Sequence, residues 1–305
     1  YTAEWKEEII FFNPASTNAG ALNGSPLNAV LPDGSTVKLS PDQDPRAVFA
    51  DWLVKNPQFA RNLANRAWAW LLGRGIVQEP DDFRADNPPG NRELLAFLEK
   101  EFSSSGYDFK QLYRLILNSK TYQLASVPQT ASPEAAANFA FYPLRRLDAE
   151  VLIDALDQIT GANEKYSSAI PEPYTFIPDN LRSIALPDGS ITSSFLEMFG
   201  RPARDTGLES ERNNRITAAQ KLTLLNSSLM QKKIESSRMI DFQTSANRTP
   251  ADVVTGMYLG ILSRFPTAEE TATAEAYFQS GIGKRQAAVD LAWALMNSTE
   301  FLYRH

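Results

Sequence analysis

The chain of 305 residues contains no cysteine and a single histidine, His305, at its very end. The first absence excludes disulfides, thiolate nucleophiles, Cys-ligated zinc and haem attachment through a CxxCH motif. The second excludes a Ser-His-Asp triad and a multi-histidine metal site within this chain, and leaves His305 as either a terminal functional group or a plain terminus. Long hydrophobic runs are also missing: "FAFYPL" and "EIIFF" fall far short of the roughly 20 residues a bilayer-spanning helix needs. No charged start with a hydrophobic run and a cleavage site opens the chain. Positive charge is not in excess, since 30 Lys+Arg against 36 Asp+Glu give a net charge of -6. That balance argues against a general nucleic-acid binder and leaves anionic partners to local basic patches. No glycine loop that would cradle a phosphate occurs, because "GRG" at 73–75 reads as a helix stop. The start at Tyr1, without a methionine, is that of a piece trimmed from something longer.

What is present is ample core material, 43% hydrophobic residues, arranged mostly at helical spacing. Residues 1–43 read as an extended β flap, with strand character in "EEIIFF" and a Pro-Asp-Gly turn inside "NAVLPDGSTVKLS". A first helical unit follows at 44–130. Asp44 and Pro45 start one helix, a second covers "PQFARNLANRAWAWLLGRG", and two more, "RELLAFLEKEFSSSG" and "DFKQLYRLILNSKTYQLA", are joined by a short Ser-Gly turn. On the second helix Phe59, Leu63, Ala67, Trp70 and Leu71 are predicted to share the buried side. Residues 131–215 combine a long helix predicted from Pro143 to Ile159 with an irregular, arginine-bearing segment. A second helical unit closes the chain at 216–305. The order of helices in the two units echoes, so the expected fold is mainly α: a multi-helix array with a weakly duplicated three-helix unit and a small N-terminal β flap. Three helices run into Asn-Ser, at Asn118, Asn226 and Asn297. These pairs read as helix punctuation, with Asn297 and Glu300 spaced as a capping box.

Arginine supplies the sharpest candidate chemistry. Arg145 and Arg146 are adjacent and offer two planar forks to a carboxylate, sulfate or phosphate. The bland alternative is pairing within the helix, Arg146 with Glu150 and Arg145 with Asp148, for a few tenths of a kcal/mol each. Arg201, Arg204, Arg212 and Arg215 sit among Asp205, Glu209 and Glu211, which reads either as a loop tied by ion pairs or as further anion contacts. Trp68 shares a helix face with Arg61 and Asn65, and so is the aromatic to consider for ligand stacking, against burial on a neighbouring helix. Asp81, Asp82, Asp86 and Asn87 have oxygen-ligand composition without the spacing of a calcium loop. Paired carboxylates acting on a glycan would need no histidine. No metal site and no tight cofactor are expected.

Taken in order, the blocks "DPRAVFADWLVKNPQFARNLANRAWAWLLGRGIVQEPDDFRADNPPGNRELLAFLEKEF", "FKQLYRLILNSKTYQ", "YPLRRLDAEVLIDAL", "FLEMFGRPARDTGLESERNN" and "WALMNSTEFLYRH" resemble the planctomycete-type C-terminal domain of unknown function. The resemblance runs from Asp44 to His305. It implies a helical domain of a large exported protein, at a secreted, periplasmic or cell-surface location, beside cytochrome c-like and companion uncharacterised domains and in the setting of polysaccharide breakdown. It carries over no catalytic residue. The sequence therefore leads to a non-catalytic binding or assembly domain whose partners are its neighbouring domains and an anionic polysaccharide. The expected ligand face combines Arg145, Arg146, Arg201 and Arg204 with Asn65, Arg66 and Trp68. The alternatives are a carboxylate-dependent glycan-active enzyme and a scaffold that only docks neighbouring domains.

Overall fold

The computed structural model describes residues 29–39, 43–130, 132–168, 170, 175–187, 189–202, 212–213, 216–245 and 247–304. Most of the flap expected at 1–43 lies outside this range. Its described part is a hairpin in which β1 (Ala29–Val30) pairs antiparallel with β2 (Thr36–Val37). Between them Asp33 accepts hydrogen bonds from the backbone and hydroxyl of Ser35, so the Pro-Asp-Gly turn forms where its composition places it.

Helices then dominate, and their ends are chemically marked. α1 (Pro45–Lys55) begins at Asp44, which accepts from the Arg46 N–H. Asn56 ends α1 and caps α2 (Pro57–Leu72), accepting from the Gln58 N–H. Both helices carry proline at their first position, where no N–H is needed. α3 (Arg92–Ser104) is capped by Asn91 and α4 (Phe109–Leu117) by Asp108. Helices α2, α3 and α4 all touch one another around Ala60, Ala64, Ala67, Trp68, Leu95, Leu98, Phe102, Leu112 and Ile116.

After the short α5 (Pro133–Ala137) the long helix expected from Pro143 does not form. Instead Arg145–Arg146 are extended as β3, and α6 runs only over Ala149–Thr160. Two further two-residue strands, β4 (Ser167–Ser168) and β5 (Ile191–Thr192), pair with each other, and the short α7 (Ser194–Met198) follows. The chain continues through α8 (Ala218–Asn226), α9 (Ser228–Glu235), α10 (Arg238–Gln243), α11 (Pro250–Leu262), α12 (Ala268–Phe278), α13 (Lys284–Met296) and α14 (Thr299–Leu302). It reaches β6 (Tyr303–Arg304), which pairs antiparallel with β3. This pairing explains the shortened helix: Arg145 opposes Arg304, Arg146 opposes Tyr303, and the Leu147 N–H reaches the Leu302 carbonyl at 2.9 Å. Helical periodicity cannot register a strand partner so distant in the chain.

Helices α11, α12 and α13 form a second mutually packed triplet. Their core, which includes Val253, Val254, Met257, Ala288, Ala292 and Leu295, is continuous with Leu152, Ile153 and Leu156 of α6. Thr249 and Thr267 close capping boxes with Asp252 and Glu270. At the Asn-Ser pairs the work is divided. Asn118 and Asn297 end α4 and α13 and donate to the carbonyls of Arg114 and Trp293. Ser227 and Ser298 cap the helices that follow, accepting from Met230 and Phe301. The Asn297–Glu300 capping box is thus replaced by a Ser298 cap, while Glu300 binds Arg264 at 2.6 Å.

The β3–β6 ladder reaches the end of α2 through Arg145 and Arg304. Gly73 there is left-handed, with φ 78°, and a Cβ at Gly73 would lie 2.3 Å from Cδ of Arg145. Gly106 is also left-handed but has open space around it. Gly73→Ala should therefore lose the about 1–2 kcal/mol that a left-handed non-glycine residue costs, plus the cost of displacing Arg145. Gly106→Ala should lose only the first part. Urea unfolding of both variants checks this, and equal losses would mean that Arg145 is not seated against Gly73.

Candidate functional site

Arg145 and Arg146 are neighbours on an extended strand, so their side chains leave on opposite sides. Arg145 turns to α2, where Nη2 donates to the carbonyls of Trp70 at 3.1 Å and Leu71 at 2.9 Å. Arg146 turns to the other core. Its Nη2 donates to the Phe199 carbonyl at 2.6 Å, its Nη1 to the side-chain oxygen of Gln220, and its guanidinium lies over the Phe199 ring. Burial pushes the Arg146 guanidinium down from its ordinary value, opposed by the charges of Tyr303 and Asp148. Neither arginine forms the expected pair with Asp148 or Glu150, because helical i,i+4 geometry is absent at 145–146.

Glu150 has other partners. It is buried in the first turn of α6 and receives Arg212 in a two-pronged pair, 2.7 Å and 3.0 Å, with Arg201 Nε at 3.4 Å. Arg201 also donates to the Ile191 carbonyl. Burial opposes the charge of Glu150, but the hydrogen bonds and charge of Arg212, then the charge of Arg201, outweigh it and hold the carboxyl below the ordinary carboxylate range. Of the arginines weighed as anion contacts, Arg201 and Arg212 thus converge on a carboxylate of the protein itself, while Arg145 and Arg146 are taken up by carbonyls and an amide. Arg204 lies outside the described residues.

The other expected ligand residues, on α2, also face inward. Asn65 is 0% exposed. Its oxygen accepts from the Ile76 and Val77 N–H groups at 2.8 and 3.0 Å, and its nitrogen donates to the Val77 and Pro80 carbonyls at 3.0 and 2.8 Å. Every donor and acceptor position of this amide's usual set is engaged with one loop. Arg66 grips Asp81 with Nε at 2.6 Å and Nη2 at 2.7 Å, joined there by Asn62. The Arg66 hydrogen bond holds the Asp81 carboxyl below its usual range. Trp68 is 2% exposed and packs edge-on against Phe139, whereas Trp70, expected in the core, is 43% exposed. The buried face of α2 is its alanine side, Ala60, Ala64 and Ala67, rotated from the face that the bulkier residues suggest.

Asn62, Asn65 and Arg66 together staple residues 76–81 to α2, and the loop continues from there as one wall of an open cleft of about 430 Å³. Around it stand Arg61 from α2, Phe83, Arg84 and Pro88 from the loop, and Arg92 and Glu99 from α3. Arg61 is bound to Glu99 at 2.8 Å. Arg84 holds Asp82 through Nε at 2.6 Å and Nη2 at 2.8 Å and has Asp86 at 3.7 Å, with no hydrogen bond from its Nη1 among the described residues. Arg92 is exposed and has no ion pair or side-chain hydrogen bond among the described residues. Sequence reasoning passed over Arg84 and Arg92. Their signal was two arginines flanking a Pro-Pro-Gly loop directly before a capped helix.

The cleft and the Glu150 cluster both lie within residues 45–278, the span that matches the family described as PSD1: Protein of unknown function (DUF1553). The chain belongs to the PSD1 family. No curated protein and no solved structure matches it. Among the described residues of this PSD1 domain, no three His, Cys, Asp or Glu side chains gather where they could hold a metal ion. The carboxylates of its acidic loop turn instead to Arg66 and Arg84. No described helix is long and apolar enough to cross a membrane.

The Glu150 cluster generates a pH-dependent prediction. A carboxyl whose folded value is depressed stabilises the fold above its unfolded value, and that contribution is lost as pH falls through the folded value. Glu150→Gln leaves two arginines without their carboxylate and should destabilise the domain by about 3 kcal/mol at neutral pH. The gap between variant and wild type should narrow progressively below about pH 4.5. Denaturant melts across pH measure it, and a gap independent of pH would rule out the assignment.

Proposed function

We propose that the domain is a non-catalytic binding module of an exported polysaccharide-utilisation protein, and that it holds an anionic substituent of a glycan, a sulfate ester or a uronate carboxylate, between Arg84 and Arg92. The observation that carries this reading is Arg92, a cation without a carboxylate partner among the described residues, in a cleft whose lining has three arginines and one glutamate. The chain as a whole carries a net charge of -6, and with Arg61 paired to Glu99 and Arg84 to Asp82 and Asp86, Arg92 is the cleft's cation left without an ion pair among the described residues. Arg92 also stands at the first position of α3, where the helix dipole disfavours a cation. An incoming anion would relieve that conflict and would meet the open edge of Arg84 as well. The loop is already tied down by Asn65 and Arg66, so little ordering would accompany binding.

The carboxylates next to the cleft favour binding over catalysis. Asp81, Asp82 and Glu99 each face an arginine. A general acid for glycoside cleavage needs a raised value, and Asp81 is shifted the other way. The polysaccharide setting, the exported location and the neighbouring domains rest on the resemblance described above.

Calorimetric titration with a sulfated polysaccharide, with polygalacturonate and with an uncharged glucan tests the proposal. Saturable binding to at least one polyanion is expected, weakening with added salt and falling about tenfold for each of Arg84→Ala and Arg92→Ala. Both side chains are exposed, so the melting temperature should hardly change. Equal affinity for the uncharged glucan, or binding untouched by the double substitution, would overturn the proposal.

A further inference from the structure

A second concavity lies in the other helical triplet and has the opposite character. It is a groove of about 680 Å³ along α12 and α13, in the size range of small-ligand sites. Tyr258, Tyr277, Phe278 and Trp293 supply its aromatic surface, and Glu269, Glu270 and Asp290 its polar groups. No lysine or arginine lines it, so it would repel the polyanion that suits the Arg84–Arg92 cleft.

Two of its rings are held by hydrogen bonds at their polar atoms and stay partly exposed. The Tyr277 hydroxyl donates to Asp290 Oδ2 at 2.7 Å, and the Trp293 indole N–H donates to the Leu225 carbonyl at 3.1 Å. Yet Tyr277 is 40% and Trp293 39% exposed. Asp290 is fixed from its other oxygen by Gln286 at 2.9 Å. Glu270 is committed to Arg264, whose hydrogen bond first, with the Thr267 backbone next, draws its carboxyl down to about 2. Glu269 is exposed and has no ion pair or side-chain hydrogen bond among the described residues.

We infer that this groove binds a pyranose sugar, uncharged or amine-bearing, with the C–H face of the ring on Tyr277 and Trp293 and its hydroxyl or ammonium donors on Glu269. A sugar ring has one apolar face and a rim of donors, and the groove offers exposed aromatic surface at Tyr277 and Trp293 and, about two turns back along α12, an acceptor without a partner among the described residues. Rings anchored at their edges lose little freedom when a ligand stacks on them. Glu269 and Asp290, which have no arginine or lysine partner among the described residues, disfavour an anion there. This inference does not depend on the Arg84–Arg92 reading, because the residues lie in the other triplet and carry the opposite charge.

The test titrates the intact domain with cellotetraose, mannotetraose and a chitosan tetramer, the last separating an amine-bearing ligand from an uncharged one. Saturable binding to at least one is expected, about tenfold or more weaker in both Tyr277→Ala and Glu269→Gln. It should be unchanged when Arg84 and Arg92 are both replaced by alanine. Glu269 is exposed and without such partners, so its variant should keep the wild-type melting temperature even if Tyr277→Ala loses some stability. The inference is overturned if none of the three sugars binds, if affinity survives either groove substitution, or if the arginine substitutions abolish it.

Discussion

Two guanidiniums at the carbonyl end of α2 tie that helix to the β3–β6 ladder. Arg145 donates to the Trp70 and Leu71 carbonyls, and Arg304 comes within 3.4 Å of the same Trp70 oxygen. The last turn of a helix leaves its carbonyls unsatisfied and carries partial negative charge, so cations there are favourable twice over. Arg145 and Arg304 are in turn direct partners on the β3–β6 ladder, which links the middle of the chain to its end. Strand alternation then sends Arg146, one residue on, to Phe199 and Gln220 in the opposite core. Two residues thus couple α2 to the α6 core, and Gly73 keeps the space that the coupling needs.

Arginines in this protein have two fates, and burial separates them. Arg146, Arg201 and Arg212 are shielded and hold backbone carbonyls, an amide or Glu150. A buried guanidinium without such partners would be strongly destabilising, so their engagement is a condition of folding. Arg84 and Arg92 lie in solvent, where an ion pair contributes little and its absence costs little. Arg84 is paired there with Asp82 and Asp86, whereas Arg92 has no ion pair among the described residues. Clustering of arginine in the sequence could not separate these cases, because it reports number and spacing but not depth.

The helix boundaries were legible because they rest on local chemistry. Asp44 with Pro45, Asn56 with Pro57, and Gly73 in a left-handed stop each act within a few residues of themselves. The mainly α architecture followed from the same signals. Features that depend on distant partners were not legible. The strand at 145–146 exists because 303–304 lies beside it. The phase of α2 is set by the loop that Asn65 clamps, which turns a polar residue and Trp68 inward and lets Trp70 face solvent. The Asn-Ser pairs fall between these extremes: their role as punctuation is local, but Glu300 is drawn from any capping role by Arg264, which reaches it from the end of α11.

The two triplets also show why similar scaffolds present different surfaces. In both, a first helix packs on a second and a third. In the first triplet the connection between the first two helices spans residues 73–91, long enough to fold over α2, bring Asp81 to Arg66 and raise Arg84 beside Arg92. In the second the same connection is only residues 263–267, and it ends in the Thr267–Glu270 capping box. So short a segment has no reach along α12, which leaves its contact with α13 open as a groove with Tyr277 and Trp293 on its walls. Connection length thus determines whether a loop builds a basic cleft or leaves an aromatic, acidic one uncovered. Loops tolerate such insertions at small thermodynamic cost, so each triplet can carry a different surface while the core beneath it stays the same in kind.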